Sequence, residues 1–144
     1  MQQTVIIRRL LGDLHFDIQL RVIKTEREGD GLAMSSRNVY LKGKRREIAP
    51  VLYKALKASE GLYEGGEDRA EKILEAAREI VERCGQENGG MVKLDYVSLN
   101  EPDLLEEVER VERGEGVILS AAMWVMPTGN GEGTVRLIDN LILK

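Results

Sequence analysis

The pattern of apolar and polar positions changes type along the chain, beginning with one helical and one alternating stretch. Residues 3–12 place apolar side chains at helical spacing and predict a helix that ends near Gly12. Residues 17–24 alternate between apolar and polar side chains, which is typical of a half-buried strand. We therefore expect a helix–strand unit whose strand needs neighbours, because a lone strand is unstable in water.

Helical spacing returns in the middle of the chain and predicts two more helices. The first covers residues 49–63, with Pro50 in its first turn or two, where a missing N–H is tolerated best. For the second helix we expect Asp68 as the N-cap, with Glu71 three residues later completing a capping box. Cys84 lies at the end of this helix's apolar stripe and is interpreted as a small buried hydrophobic side chain, not as a nucleophile.

The last third of the chain predicts strands. Residues 93–100 are rich in strand-forming side chains, and residues 117–125 form the continuous apolar run of a buried central strand. Residues 134–143 follow a loop with several glycines, which favours a long hairpin connection. Residues 45–144 are thus predicted to form a compact α+β unit, with two helices on one face of a small, mainly antiparallel sheet.

Composition and length narrow the class of protein. The chain has 144 residues, of which 42% are hydrophobic and 32% charged, as in an ordinary globular domain. Because apolar runs are short, the start lacks the features of a signal peptide and there is one cysteine, we expect a cytoplasmic protein with no membrane partner. Aromatic side chains are not interleaved with basic ones, so we expect no nucleic-acid partner.

Charge is distributed unevenly between the two ends of the chain. Residues 1–46 carry ten Lys or Arg against five Asp or Glu, whereas the remaining residues carry 11 bases and 20 acids. A basic front on an acidic chain favours a local anion site over a nucleic-acid surface, although a solvated basic face is the commoner explanation of such a pattern.

One short stretch concentrates candidate chemistry inside that basic front. Residues 29–40 read GDGLAMSSRNVY, with Ser35, Ser36 and Arg37 adjacent. Serine hydroxyls and an arginine fork both suit phosphate oxygens, and the two glycines before them allow backbone N–H groups to face one anion. The alternative is that the serines cap a turn and that Arg37 is merely exposed.

The same stretch resembles a known family. DGLAMSSRNVYL resembles part of pantothenate synthetase (pantoate–β-alanine ligase), in the C-terminal portion of that enzyme, and four further pieces follow the family's order. These pieces are QQTVIIRRLLGDL at residues 2–14, REIAPVLYKAL at residues 46–56, LDYVSL at residues 94–99 and RLIDN at residues 136–140. The resemblance therefore extends over the whole chain.

The resemblance implies an ATP-dependent ligase that joins pantoate to β-alanine through a pantoyl-adenylate, releasing pyrophosphate and AMP, with Mg²⁺ accompanying ATP. It implies that residues 1–44 are the remnant of an N-terminal Rossmann-like nucleotidyltransferase domain, ending with its last αβ unit and the serine stretch. Residues 45–144 would be the C-terminal lid domain. The expected fold class is accordingly α+β, with that αβ unit preceding the small sheet.

The resemblance also implies roles for particular residues. ATP would be contacted by Met34, Ser35, Ser36, Arg37 and the backbone of Glu26. Pantoate would be contacted by Gln3, and no residue of the chain is expected to be a metal ligand or, with confidence, a catalytic group. Glu26 departs from the family, which has an apolar residue there, but a contact through the backbone survives such a change.

A larger departure concerns histidine. The family activates ATP with a His-x-Gly-His motif, whereas this chain has one histidine, His15, which we interpret as a surface residue. We therefore expect the chain alone to be inactive. Three explanations stay open: a C-terminal portion of the enzyme, a nucleotide-binding half of a split enzyme, or a non-enzymatic interaction domain that retains the fold. Because the strand at residues 17–24 lacks neighbours, we also expect a homodimer or a segment exchange through residues 1–30.

Overall fold

The computed structural model describes residues 1–112, 114 and 116–144, which form helices followed by a small sheet. The helices are α1 (Gln2–Asp13), a 3₁₀ helix (Ser36–Tyr40), α2 (Lys44–Ile48), α3 (Val51–Glu64) and α4 (Ala70–Glu87). The strands are β1 (Val92–Asn100), β2 (Val117–Val125) and β3 (Val135–Leu143). Each strand lies within one residue of its predicted bounds.

The three strands form one antiparallel sheet in the order β1-β2-β3. The central strand β2 is almost continuously buried, which explains why its sequence is apolar at nearly every position. The register of β1 shifts between Leu94 and Tyr96, whereas β2 and β3 pair without interruption. The predicted long hairpin between β2 and β3 is confirmed by this pairing.

Helices α3 and α4 pack on one face of the sheet and enclose the core between them. The core side chains of the sheet come from alternate positions, including Val97, Leu119, Met123 and Leu137. Ser59, on α3, is fully buried, and its hydroxyl donates to the carbonyl of Ile73 on α4 at 2.6 Å. The α+β class, with helices on one face of a small antiparallel sheet, is confirmed.

The predicted strand at residues 17–24 is wrong for this structure, because that segment belongs to no strand. Ile18, Val22 and Ile23 are 61%, 51% and 84% exposed. Alternating apolar and polar residues suit a strand with one buried face. A strand forms, however, only where a neighbouring strand supplies hydrogen bonds. Among the described residues no strand lies beside this segment, so the alternating pattern has no partner.

The predicted capping box at Asp68 is also wrong. Helix α4 begins at Ala70, and its N-cap, Arg69, makes no capping hydrogen bond with its side chain. Asp68 instead accepts a hydrogen bond from Arg110 at 2.7 Å through its carboxylate. A local capping pattern cannot predict an ion pair with a residue 42 positions away. This ion pair occupies the carboxylate that would otherwise cap the helix.

The predictions for Pro50, His15 and Cys84 agree with the structure. Pro50 is the N-cap residue of α3, so its missing N–H leaves no helical hydrogen bond unmade. Helix α2 ends at Ile48 and is separate from α3. His15 is exposed, as expected of a surface residue. Cys84 is half-buried against the core, and burial raises the pKa of its thiol, which agrees with a packing role. No helix in the described ranges is long and apolar enough to cross a membrane.

Candidate functional site

A short hairpin precedes the serine stretch along the chain and fixes its position. The backbone N–H of Glu28 donates to the carbonyl of Leu32 at 2.8 Å, and that of Met34 donates to the carbonyl of Glu26 at 2.9 Å. Gly31, with a φ of 92°, turns the chain between the two arms. We call residues 26–34 the anion-loop hairpin.

The anion-loop hairpin is fixed to the edge strand β3 by one arginine. The guanidinium of Arg27 binds the carboxylate of Asp139 through two hydrogen bonds of 2.6 and 3.0 Å, and it also donates to the carbonyl of Gly31 at 3.1 Å. It lies over the ring of Tyr53, 3.9 Å from the centroid. The hydrogen-bonded Asp139 raises the pKa of Arg27. Arg27 therefore stays charged and holds the hairpin against both β3 and α3.

A second arginine holds the tip of the same hairpin. The guanidinium of Arg46, on α2, donates to the carboxylates of Glu28 and Asp30, both at 2.6 Å. These hydrogen bonds hold the pKa values of Glu28 and Asp30 below their ordinary range. The amide of Asn38 donates to Glu28 and to the carbonyl of Ala33, so the hairpin and the 3₁₀ helix that follows it form one cross-linked unit.

The serine stretch itself lies at the start of the 3₁₀ helix. The hydroxyl oxygen of Ser35 accepts a hydrogen bond from the backbone N–H of Arg37 at 3.2 Å, so Ser35 is the N-cap, which is the capping role considered as an alternative from the sequence. Ser36 and Arg37 are exposed. Within residues 1–112, 114 and 116–144 the Arg37 guanidinium has no hydrogen-bond or ion-pair partner. Its five N–H donors are therefore available to a ligand.

A large cleft brings four of the six predicted site residues together. It has a volume of about 860 Å³, and Gln3, Met34, Ser35 and Arg37 all lie in its wall. Ser36 lies instead in a shallow depression beside the cleft, together with Met34 and Ser35. A binding site for a small molecule of nucleotide size is expected to have this volume.

Glu26 is placed differently from the other predicted residues. Thr25 lines the cleft, but Glu26 is not among the described residues in its wall, and its carbonyl already accepts the hydrogen bond from Met34. A carbonyl oxygen has a second lone pair, so the predicted backbone contact stays a prediction.

The lining of the cleft also includes side chains on the face of the sheet that the helices leave open. Ser98, Ser120 and Asn140 stand in direct register across the three strands, and all three line the cleft. Sequence reasoning missed this row, because three residues spread over 43 positions form a set only once the strands pair. The signal that was present is the polar residue at alternate positions near the end of β1, Ser98 and Asn100, and the serine in the apolar run of β2.

The charges around the cleft favour an anion. Asp139 is neutralised by Arg27, and Arg136 is paired with Asp95 at 2.8 Å. Arg37 is then the unpaired charge among the arginines and carboxylates that line the described cleft. The described residues contain no group of three His, Cys, Asp or Glu that could hold a metal ion.

Fold and site together define the class of protein: an α+β unit with a large cleft whose wall carries the unpaired Arg37. The comparison with family models then gives the family. The model for pantoate–β-alanine ligase matches residues 1–142, and the chain belongs to this family.

Individual relatives agree with the family match. The chain is 43% identical over 142 residues to the pantothenate synthetase of Thermotoga petrophila and 40% identical over 142 residues to that of Herpetosiphon aurantiacus, covering 99% of this chain in both cases. A crystal structure of pantothenate synthetase from Thermus thermophilus superimposes with a TM-score of 0.77 at 34% identity, covering 97% of this chain and 45% of that one. The chain spans about half the length of the curated relatives it matches, 46% and 47% for the first two.

Proposed function

We propose that this chain supplies the phosphate-binding part of an ATP-dependent ligase site, in which pantoate and β-alanine are joined through a pantoyl-adenylate to give pantothenate, AMP and pyrophosphate. The observation that carries the proposal is the unpaired Arg37 beside Ser35 in the wall of the large cleft. Membership of the pantoate–β-alanine ligase family supports the choice of substrates.

Each residue has a part in the proposed reaction. Pantoate carboxylate would attack the α-phosphate of ATP, and Arg37 and the hydroxyl of Ser36 would stabilise the charge that develops on the departing pyrophosphate. Ser35 would serve mainly by capping the 3₁₀ helix, which fixes the backbone from which Arg37 projects. Gln3, from the first turn of α1, would contact pantoate across the same cleft.

Magnesium fits this proposal as a companion of ATP and not as an ion held by this chain. The cleft offers donors for phosphate, but its carboxylate, Asp139, is fully engaged by Arg27. No step of the proposal is therefore assigned to a protein-bound metal.

Catalysis in this proposal needs more than these residues. The family's His-x-Gly-His motif cannot be formed by a chain with one histidine. We infer that the chain alone binds ATP without turning it over, since adenylation requires groups aligned on both sides of the phosphates. The exposed apolar side chains of residues 1–30 favour a homodimer or a segment exchange as part of the same proposal.

Titration calorimetry with ATP–Mg²⁺ and with adenosine tests the phosphate-binding role. We expect Arg37→Ala to weaken ATP binding by about 10- to 100-fold, the equivalent of a charge-assisted hydrogen bond, and to leave adenosine binding unchanged. Arg83→Ala is the matched control, because Arg83 is exposed on α4 away from the cleft. An equal loss of ATP and adenosine affinity in Arg37→Ala would show that Arg37 supports the loop and does not bind phosphate.

A further inference from the structure

The open face of the sheet carries a row of neutral polar side chains that the proposed phosphate site does not use. Ser98 pairs with Ser120 across β1 and β2, and Ser120 pairs with Asn140 across β2 and β3. Directly opposed residues on neighbouring strands lie about 5 Å apart, so the three side chains extend over about 10 Å. We call these three residues the polar row.

The polar row stands on an otherwise apolar surface. On β2, the residues two positions before and after Ser120 are Ile118 and Ala122, which are buried although they lie outside the core on the helix side. On β3, Ile138 is 59% exposed on the same face as Asn140 and lines the cleft with it. Polar groups placed among apolar ones need hydrogen-bond partners, because half-burial weakens their contact with water.

Two members of the row lack such partners within the chain. The hydroxyl of Ser98 donates to the carboxamide oxygen of Asn100 at 2.7 Å. In contrast, the hydroxyl of Ser120 and the side-chain amide of Asn140 make no hydrogen bond within the part of the chain that the structure describes, and both side chains are half-buried in the cleft wall. Because both side chains line the cleft, their donors and acceptors are available to a ligand there.

The chemistry of the row differs from that of the phosphate site. Arg37 provides the unpaired positive charge that polyphosphate requires, whereas the arginine nearest the row in the sheet, Arg136, is already bound to Asp95. Hydroxyl and carboxamide groups both donate and accept, so they suit a ligand that carries hydroxyl or amine groups. The exposed Ile138 beside them suits a short aliphatic chain.

We propose that Ser120 and Asn140, with Ser98 beside them, form a subsite for a small aliphatic carboxylic acid that bears a hydroxyl or an amine. This inference rests on the proposed function and extends it, since pantoate is such a hydroxy acid and β-alanine such an amino acid. Gln3 lines the same cleft as the row. The row positions the acid, while Arg37 binds the phosphates.

Nuclear magnetic resonance of the ¹⁵N-labelled full chain tests the subsite, with the Asn140 side-chain amide as the reporter. Pantoate, β-alanine and ATP–Mg²⁺ are titrated separately, and Asn140→Ala assigns the amide signal. We expect one of the two acids to shift the Asn140 amide. A shift of the Asn140 amide signal caused by pantoate would show that the row binds the hydroxy acid. A shift caused by β-alanine would show that it binds the amino acid.

Affinity measurements on variants complete the test. We expect Ser120→Ala to weaken binding of that acid by about 2- to 10-fold, as for one neutral hydrogen bond, with the thermal midpoint and the ATP–Mg²⁺ affinity unchanged. Two variants outside the cleft are the controls. Thr134→Ala removes an exposed hydroxyl, and Asn130→Ala removes an exposed carboxamide.

The inference is overturned if neither acid shifts the Asn140 amide signal or if ATP–Mg²⁺ is the one ligand that shifts it. It is also overturned if Thr134→Ala weakens binding of the acid as much as Ser120→Ala does. ATP binding lost in Arg37→Ala would still support the proposed function in each of those cases.

Discussion

Gly31 shows how one residue determines the geometry of the anion-loop hairpin. A Cβ atom at this position would lie 2.2 Å from Cδ1 of Tyr53, the ring on which Arg27 stacks. Its φ of 92° is also a conformation that other residues adopt only under strain. A glycine is therefore required both for the turn and for the approach of the hairpin to α3.

We expect Gly31→Ala to destabilise the chain by about 1–3 kcal/mol, because the methyl group forces Tyr53 away from Arg27 or opens the turn. Urea unfolding followed by circular dichroism measures the change. Gly29→Ala is the control, since a Cβ at Gly29 meets no atom within 4 Å and its φ is not positive. Equal stability of the two variants would show that the hairpin tolerates a side chain at its turn.

At the residue scale, the sequence singled out the exposed serine stretch but not the buried charge of Arg45. The serines and Arg37 form a contiguous stretch, so a local search finds them. Arg45 was counted as part of a basic front, yet it is 1% exposed and donates to the carbonyl of Gly133 at 2.7 Å. Nothing in its neighbours along the chain indicates a carbonyl 88 positions away.

At the scale of elements, the ion pair between Arg27 and Asp139 joins the anion-loop hairpin to β3. Leu32, within the hairpin, and Leu41, after the 3₁₀ helix, belong to the same core as α3 and α4. The side chains of Arg27 and Asp139 are 17% and 4% exposed, so this pair is far less solvated than an ordinary surface pair. Movement of the sheet would therefore carry the hairpin with it. The division of the chain at residues 44 and 45 stays a prediction.

We expect Asp139→Asn to cost about 3 kcal/mol of unfolding free energy, because it leaves the Arg27 guanidinium partly buried without its counter-charge. In a double-mutant cycle with Arg27→Met, the two changes should couple by about 1–3 kcal/mol. Asp95→Asn provides the control: it breaks the ion pair with Arg136, which is more exposed, and should cost less than about 1 kcal/mol. Strictly additive losses in the Arg27–Asp139 cycle would contradict the role assigned to this pair.

Most of the elements that the sequence predicted correctly have an apolar face that packs against a neighbour; helix α1 is the exception, since it was predicted correctly although Val5 is its one buried residue. Helices α3 and α4, with β1 and β3, bury one face within this chain, and β2 is buried on both, so the patterns and the structure agree. The alternating pattern at residues 17–24 also predicts packing against a neighbouring strand, but no strand lies beside it in the described structure. The open-face polar row was missed for the opposite reason, since its members are set together by strand register and not by spacing along the chain.

The whole molecule combines a well-packed unit with an N-terminal segment whose apolar side chains are uncovered. The large exposed side chains of that segment are Ile6, Ile7, Leu10, Leu14, Phe16, Ile18, Val22 and Ile23. Such a concentration of exposed apolar surface is unusual for a monomer and favours association.

Sedimentation velocity over a range of concentrations tests this association. We expect the full chain to self-associate and the double variant Ile18→Glu/Ile23→Glu to shift to monomer, because the added charges cannot be buried in an apolar contact. Ile142→Glu, at an exposed apolar site on the sheet, should leave the association unchanged. A full chain that is monomeric at every concentration would rule out a contact through residues 1–30.

We propose above all that this chain binds ATP phosphates in a ligase site that its own residues do not complete. The most direct measurement is pantothenate formation from pantoate, isotope-labelled β-alanine and ATP–Mg²⁺, with chain purified from a host that lacks its own pantothenate synthetase and product detected by mass spectrometry. We predict no labelled pantothenate above the enzyme-free blank, under conditions in which a full-length relative turns over and this chain binds ATP. Labelled product that rises in proportion to the concentration of the pure chain would contradict the account.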